Sequence, residues 1–265
     1  MTLTGLDRSQ QEVLSHIKAR VILGLMQVLT GKDKEARAVL AKQNFTLQIQ
    51  VIGGPTCHVK VEKGTLTFID ARCPLPSLTL LFLSPLKMNQ MFSGYKQNPL
   101  PLIGSFKFPG IIKSFRKLSA RLSYFMEGEG REARDSKVLV TELLLYAAVF
   151  GVSAVGEYDE YVRTRVEHMA DGVLEVRVAG DGGFSAWLEK KGPSFSVRRV
   201  ESSAGNTANA VLQFNGIESA FDVLTGSKNA MAALGTGEVQ IRGRLPMIQT
   251  VFQLLDRVGF YMAVK

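Results

Sequence analysis

Reactive side chains are scarce in this sequence. Of 265 residues, two are cysteine and three are histidine. Cys57 and Cys73 are both expected on strands of the first half and have no counterpart in the second. That argues against a disulfide framework or a repeated metal site, fits a reducing compartment, and leads to the expectation of a cytoplasmic protein. Cys57 and His58 are neighbours on one strand, so they point to opposite faces and the imidazole does not activate the thiol. His16, His58 and His168 fall in a helix, a strand and a helix end, without the ligand spacing of a zinc site. There is no G-x-x-x-x-G-K-[ST] and no G-x-G-x-x-G at a strand-to-helix junction. Ser84, Ser202 and Ser203 have no base nearby in sequence. No catalytic residue, metal ligand or cofactor site is assigned, and the chain is expected not to be an enzyme. The opening MTLTGLDRSQQEVL lacks a basic region followed by an apolar core, so no secretory signal is expected there.

What the chain does have is apolar content and an uneven charge. Hydrophobic residues make up 46%, ample for a core, which excludes wholesale disorder. The length suits one large or two ordinary domains. The formal net charge is +8. Residues 1–132 hold 18 Lys/Arg against 9 Asp/Glu, and residues 133–265 hold 14 against 15. The basic character therefore belongs to the first half, as for a surface that meets an anionic membrane, an acidic protein or nucleic acid, or is simply solvated. Phe106, Phe108 and Phe115 sit at core-like positions and not as an exposed stacking row between lysines, which argues against nucleic acid.

Taken in order, Asp7 or Ser9 caps a first helix whose stripe is Val13, Ile17, Val21 and Leu25. Gly31 is expected to stop it, and a more polar helix runs from about 34 to 42. FTLQIQV (Phe45 to Val51) alternates as a half-buried strand. A hairpin turns at Gly64. After Pro109 a helix carries Ile111, Phe115, Leu118, Leu122 and Phe125 on one stripe, with Lys113, Arg116, Lys117 and Arg121 on its flanks. Such a helix either lies on an anionic membrane through those four cations or packs on its own domain with a solvated outer face. EGEGREARDS (127–136) is charged and aperiodic and reads as a linker. KVLVTELLLYAAVFGVSAVG, which follows, is long and apolar enough to raise a membrane span. Glu142 interrupts it and no basic flank sets a topology, so it is expected as a buried helix, placed between the two halves.

The second half repeats the first. VEKGTLTFID (Val61 to Asp70) matches the EKKGPSFSVRR region, with Gly64 against Gly192. SLTLLFLSPL matches NAVLQFNGI, Gly94 stands where Gly226 does, and LIGSFKFPGIIKSFRKLSARLSYFM matches QIRGRLPMIQTVFQLLDRVGFYM. The helix ends are set against each other at Gly31 and Gly156. The first copy is shorter between Gly94 and Gly104 than the second between Gly226 and Gly243. The expected domains are 1–126 and 137–265, joined by the linker.

The order FDVLTGS (Phe221 to Ser227), GEVQIRG (Gly237 to Gly243), the helix after it and the strand pair around Gly192 resembles the sterol carrier protein type 2 family. The fold expected is α/β (α+β): two tandem units, each a mostly antiparallel sheet of about five strands covered by helices. The resemblance implies a hydrophobic tunnel for a fatty acyl chain, sterol or isoprenoid, and so a non-catalytic lipid-binding or lipid-transfer protein. The wall residues it suggests are Ile217, Phe221, Leu224, Met231, Leu234, Met247, Val251, Phe252 and Leu255 in the second copy. In the first they are Leu86, Met91, Phe92, Phe108, Ile112, Phe115 and Leu118. Each of these also serves as plain core. The alternative function is an accessory subunit that presents a lipid-like substrate, such as a quinone precursor, to a partner enzyme. A purely structural pair of domains, with one copy degenerate, is a further reading. The oligomeric state is left open.

Overall fold

The computed structural model describes residues 2–104, 108–131, 133–200 and 208–264. The chain divides into two compact units, Met1–Tyr124 with Phe260–Lys265, and Phe125–Gly259. Each holds a five-stranded mixed α/β arrangement.

The first unit opens with α1 (Arg8–Lys32). Asp7 is its cap: the carboxylate accepts from the Gln10 amide at 2.9 Å, and the Gln10 side chain accepts from the Asp7 amide at 3.1 Å. α2 (Lys34–Leu40), β1 (Asn44–Val51), β2 (Thr56–Glu62), β3 (Thr65–Ile69), β4 (Leu78–Phe82), α3 (Pro85–Phe92), β5 (Leu100–Gly104) and α4 (Phe108–Met126) follow. Strands β2 and β3 are joined by Lys63 and Gly64 alone, both at positive φ, a two-residue turn whose twist suits a hairpin. The sheet order is β3-β2-β1-β4-β5; β1 and β4 run parallel and the other pairs antiparallel. α1 packs on α3 and β3.

The second unit repeats this plan with α5 (Lys137–Tyr158), α6 (Arg163–His168), β6 (Gly172–Val178), β7 (Phe184–Lys191), β8 (Ser194–Val200), β9 (Ala210–Phe214), α7 (Ile217–Leu224), α8 (Ala230–Gly235), β10 (Val239–Gly243) and α9 (Leu245–Met262). Its order, β8-β7-β6-β9-β10, is the order of the first sheet, and again only the central pair, β6 and β9, is parallel. α5 packs on α7, β7 and β8. The longer stretch between Gly226 and Gly243 is occupied by α8, for which the first unit has no equivalent helix between α3 and β5.

Three readings of the sequence change. The helices do not break at Gly31 and Gly156; α1 runs to Lys32 and α5 to Tyr158. The equivalent ends are Asp33 and Asp159, each the C-cap of its long helix and the N-terminal cap of the next turn. Gly156 lies within α5 with Phe195 of β8 against it: a Cβ there would meet the ring at 2.6 Å. Cys73 sits in the connection after β3 and not on a strand.

Arg20 and Glu142, both buried polar residues of long helices, find partners on or just past the last strand of their hairpins. Arg20 Nε donates to Asp70 at 2.6 Å, and Arg199 lies 3.4 Å from Glu142. Counted from the hairpin turns, Asp70, one residue past β3, and Arg199 of β8 hold equivalent places. The two units thus place the bridge in the same region with its signs exchanged, which keeps each buried charge compensated. α1 and α5 are long and apolar enough to span a membrane by length and composition, and most of each is buried in the fold.

Candidate functional site

The second unit contains an apolar cavity of about 530 Å³. α5 contributes Leu145, Ala148, Val149 and Val152. The sheet contributes Leu174 and Val176 from β6, Leu188 from β7, and Leu212 and Phe214 from β9. The far side is Val223 and Leu224 of α7, Ala230, Met231 and Leu234 of α8, and Ile248, Val251, Phe252, Leu255 and Asp256 of α9. Eighteen of these nineteen residues are apolar.

The cavity follows from how the helices are patterned. α5 is apolar nearly all round, as a helix covered on more than one side must be. Its small residues Ala148, Val149 and Val152 leave space over the sheet. On α9 the deepest stripe (Met247, Val251, Leu254, Val258, Tyr261) is buried as the spacing requires. Ile248, Phe252 and Leu255, one step round the helix, face the cavity together with Val251.

Of the suggested second-copy wall residues, Leu224, Met231, Leu234, Val251, Phe252 and Leu255 come together on this cavity. Met247 is buried in the core away from it. Ile217 is half-buried at the start of α7. Phe221 faces a separate, polar depression, where the Lys137 ammonium lies 5.0 Å from its ring centre and bonds to Glu218. The strand residues and the α5 face escaped the sequence reading. Their one signal was the excess hydrophobicity of α5, four of whose residues line this cavity.

In the first unit, Leu86, Met91 and Phe92 of α3 and Ile112 and Phe115 of α4 are half-buried, and Leu118 is buried. Phe108 begins α4, but its side chain lies outside the described residues, as do Phe106 and Lys107. Ile112 lies in a shallow surface depression with Pro109, Lys113, Arg116, Lys117 and Ala120. Lys113, Arg116 and Lys117 are exposed, whereas Arg121 is engaged by Asp33 at 2.8 Å and Glu35 at 3.1 Å.

With Asp33 and Asp159 aligned, Ile22, Leu23 and Met26 of α1 stand where α5 has Ala148, Val149 and Val152. Leu23 and Met26 are fully buried. With Arg121 and Arg257 aligned, Phe115 stands where α9 has Val251. Ala19, opposite Leu145, and Ser119 and Ala120, opposite Leu255 and Asp256, are smaller.

Reactive groups lie elsewhere. His16 is buried in α1, and burial together with the Arg20 charge lowers its imidazole to about 3, so it is neutral at physiological pH. His58 Nδ1 is 2.6 Å from the Ala71 carbonyl oxygen. Ser84 caps α3, accepting from the Lys87 amide; Ser202 and Ser203 lie outside the described residues. Among the described residues no three His, Cys, Asp or Glu side chains are grouped to hold a metal ion.

The fold and cavity define a class: an α/β unit in which helices enclose an apolar space over a five-stranded mixed sheet. Comparison with solved structures finds sterol carrier protein 2 domains. The sterol carrier protein domain of Helicoverpa armigera is 14% identical, with a TM-score of 0.34 over 44% of this chain and 89% of its own. Sterol carrier protein 2 from Yarrowia lipolytica is 15% identical, with a TM-score of 0.32 over 43% and 91%. The UbiJ-SCP2 ubiquinone synthesis protein is 21% identical, with a TM-score of 0.32 over 46% and 93%. No family model matches the sequence, and no curated protein matches it.

Proposed function

We propose that the second unit is a non-catalytic lipid-binding module that holds an apolar ligand, of the size of a fatty acyl chain, sterol or isoprenoid, in its cavity. The observation that carries this reading is a space of about 530 Å³ with a nearly unbroken apolar wall. That volume lies within the roughly 300–1,000 Å³ of small-molecule sites. The first unit carries larger side chains opposite Ala148, Val149, Val152 and Val251 and serves as the companion domain.

The exposed Lys113, Arg116 and Lys117 give that companion an anionic membrane as its natural partner, through charge attraction screened over roughly 10 Å at 0.1 M salt. Co-sedimentation with anionic vesicles then weakens on substituting the three by serine and on raising salt. Equal binding to neutral and anionic vesicles removes this part of the proposal.

The test of the cavity is Val251→Trp, read by thermal stability and by uptake of a fluorescent neutral lipid, with native mass spectrometry of the protein purified without detergent. Filling an open cavity leaves stability nearly unchanged and abolishes uptake. A loss of about 1–3 kcal/mol, as for an overpacked core, shows that Val251 faces no usable space. Retained stability with undiminished uptake places the carrier site elsewhere.

A further inference from the structure

We infer that the cavity selects lipids ending in an uncharged hydrogen-bond donor, a hydroxyl above all, over lipids ending in a carboxylate, and that Asp256 makes this choice. The inference rests on the lipid-binding reading of the second unit. Asp256 is the one charged side chain among the residues lining the cavity; no Lys, Arg or His joins it. It is exposed, as are Ala230 and Met231 of α8. These three mark where the lined space reaches solvent, so a lipid that buries its chain among the apolar residues leaves its polar end beside α9.

The state of the neighbouring charges decides what that polar end meets. Asp256 has no hydrogen bond or ion pair among the described residues. The next residue, Arg257, does not neutralise it: its Nε donates to Asp159 Oδ2 at 2.8 Å, and its guanidinium lies over the Tyr161 ring. Asp256 is thus an acceptor-only group with open lone pairs. A hydroxyl supplies the donor it lacks. A carboxylate supplies a second negative charge, with no cation in the wall to offset it.

The experiment titrates the full chain and its Asp256→Asn and Val251→Trp variants with tetradecanol or with tetradecanoate at pH 8 and reads the binding of each by calorimetry. The expected result is that the alcohol binds about fivefold to tenfold tighter than the acid. That is the factor a unit repulsion at a few ångströms costs in a medium close to water. In Asp256→Asn, which keeps an acceptor and loses the charge, the acid gains and the gap closes while the alcohol changes little. If the acid binds as tightly as the alcohol, or Asp256→Asn leaves their ratio unchanged, while Val251→Trp still abolishes both, the selectivity is overturned and the cavity stands. If neither ligand binds, or Val251→Trp leaves both unaffected, the lipid-binding reading falls and takes this inference with it.

Discussion

Arg257 reaches back from α9 to bond Asp159 at 2.8 Å, and Asp159 is also where α5 ends and the next turn begins. The first unit has the same device: Arg121 of α4 bonds Asp33 at 2.8 Å, and Asp33 ends α1 and caps α2 through the Ala36 amide. One aspartate thus closes one helix through its backbone amide, and its carboxylate opens the next turn and anchors the unit's last helix. Arg121, which the sequence suggested as a membrane cation, is spent on this bond.

The Asp33 bridge makes part of the first unit's stability pH-dependent. Burial alone would raise the Asp33 carboxyl, but hydrogen bonds from Arg121 and the Ala36 amide, with the Arg121 charge, outweigh it and hold the carboxyl below its ordinary 3.8. A depressed carboxyl contributes stability that is present above the unfolded value and is lost as pH falls through the folded one. Arg121→Ala therefore costs roughly 1–2 kcal/mol at pH 7. Urea unfolding of both proteins at pH 7 and at pH 3 should show the difference shrinking in acid; a constant difference would place the effect in packing.

Gly156 and Gly259 should respond to alanine with opposite signs. Both lie in helices, where Gly→Ala by itself gains roughly 1 kcal/mol. At Gly259 a Cβ meets nothing within 4 Å, so the gain is expressed. At Gly156 it meets three atoms of the Phe195 ring at 2.6–3.0 Å, and displacing a packed aromatic costs about 1–3 kcal/mol. Melting temperatures of the two variants decide this, and a stabilised Gly156→Ala would mean that Phe195 moves aside freely.

The two cysteines should separate in reactivity. Cys57 is fully buried, and burial, with the Asp70 charge, pushes its thiol far above the ordinary range despite Arg20 nearby. Cys73 is half-exposed. A chromogenic thiol reagent at pH 8 should titrate one group quickly and the second only in denaturant, with Cys73→Ser removing the fast phase. Rapid reaction of both would show that β2 opens readily.

Much of the architecture is written in local pattern. The Asp7 cap, the Lys63-Gly64 turn, the alternation of β1 and the stripes of α4 and α9 are short-range features, set by backbone geometry and side-chain period, and a linear reading finds them. The mixed five-stranded arrangement and its recurrence follow from the order of those elements. The cavity belongs to tertiary structure alone. Leu174, Val176, Leu188, Leu212 and Phe214 look like any strand interior, and a residue facing solid core has the same sequence signature as one facing open space. Whether Ala148, Val149 and Val152 leave room is decided only when α5, the sheet, α8 and α9 are brought together. The same is true of Gly156, which a helical pattern marks as a break and Phe195 makes a contact, and of Asp256, an ordinary surface carboxylate until packing sets it at the rim of an apolar space. Period encodes which face is buried; three-dimensional complementarity of side-chain volumes decides whether that burial is filled.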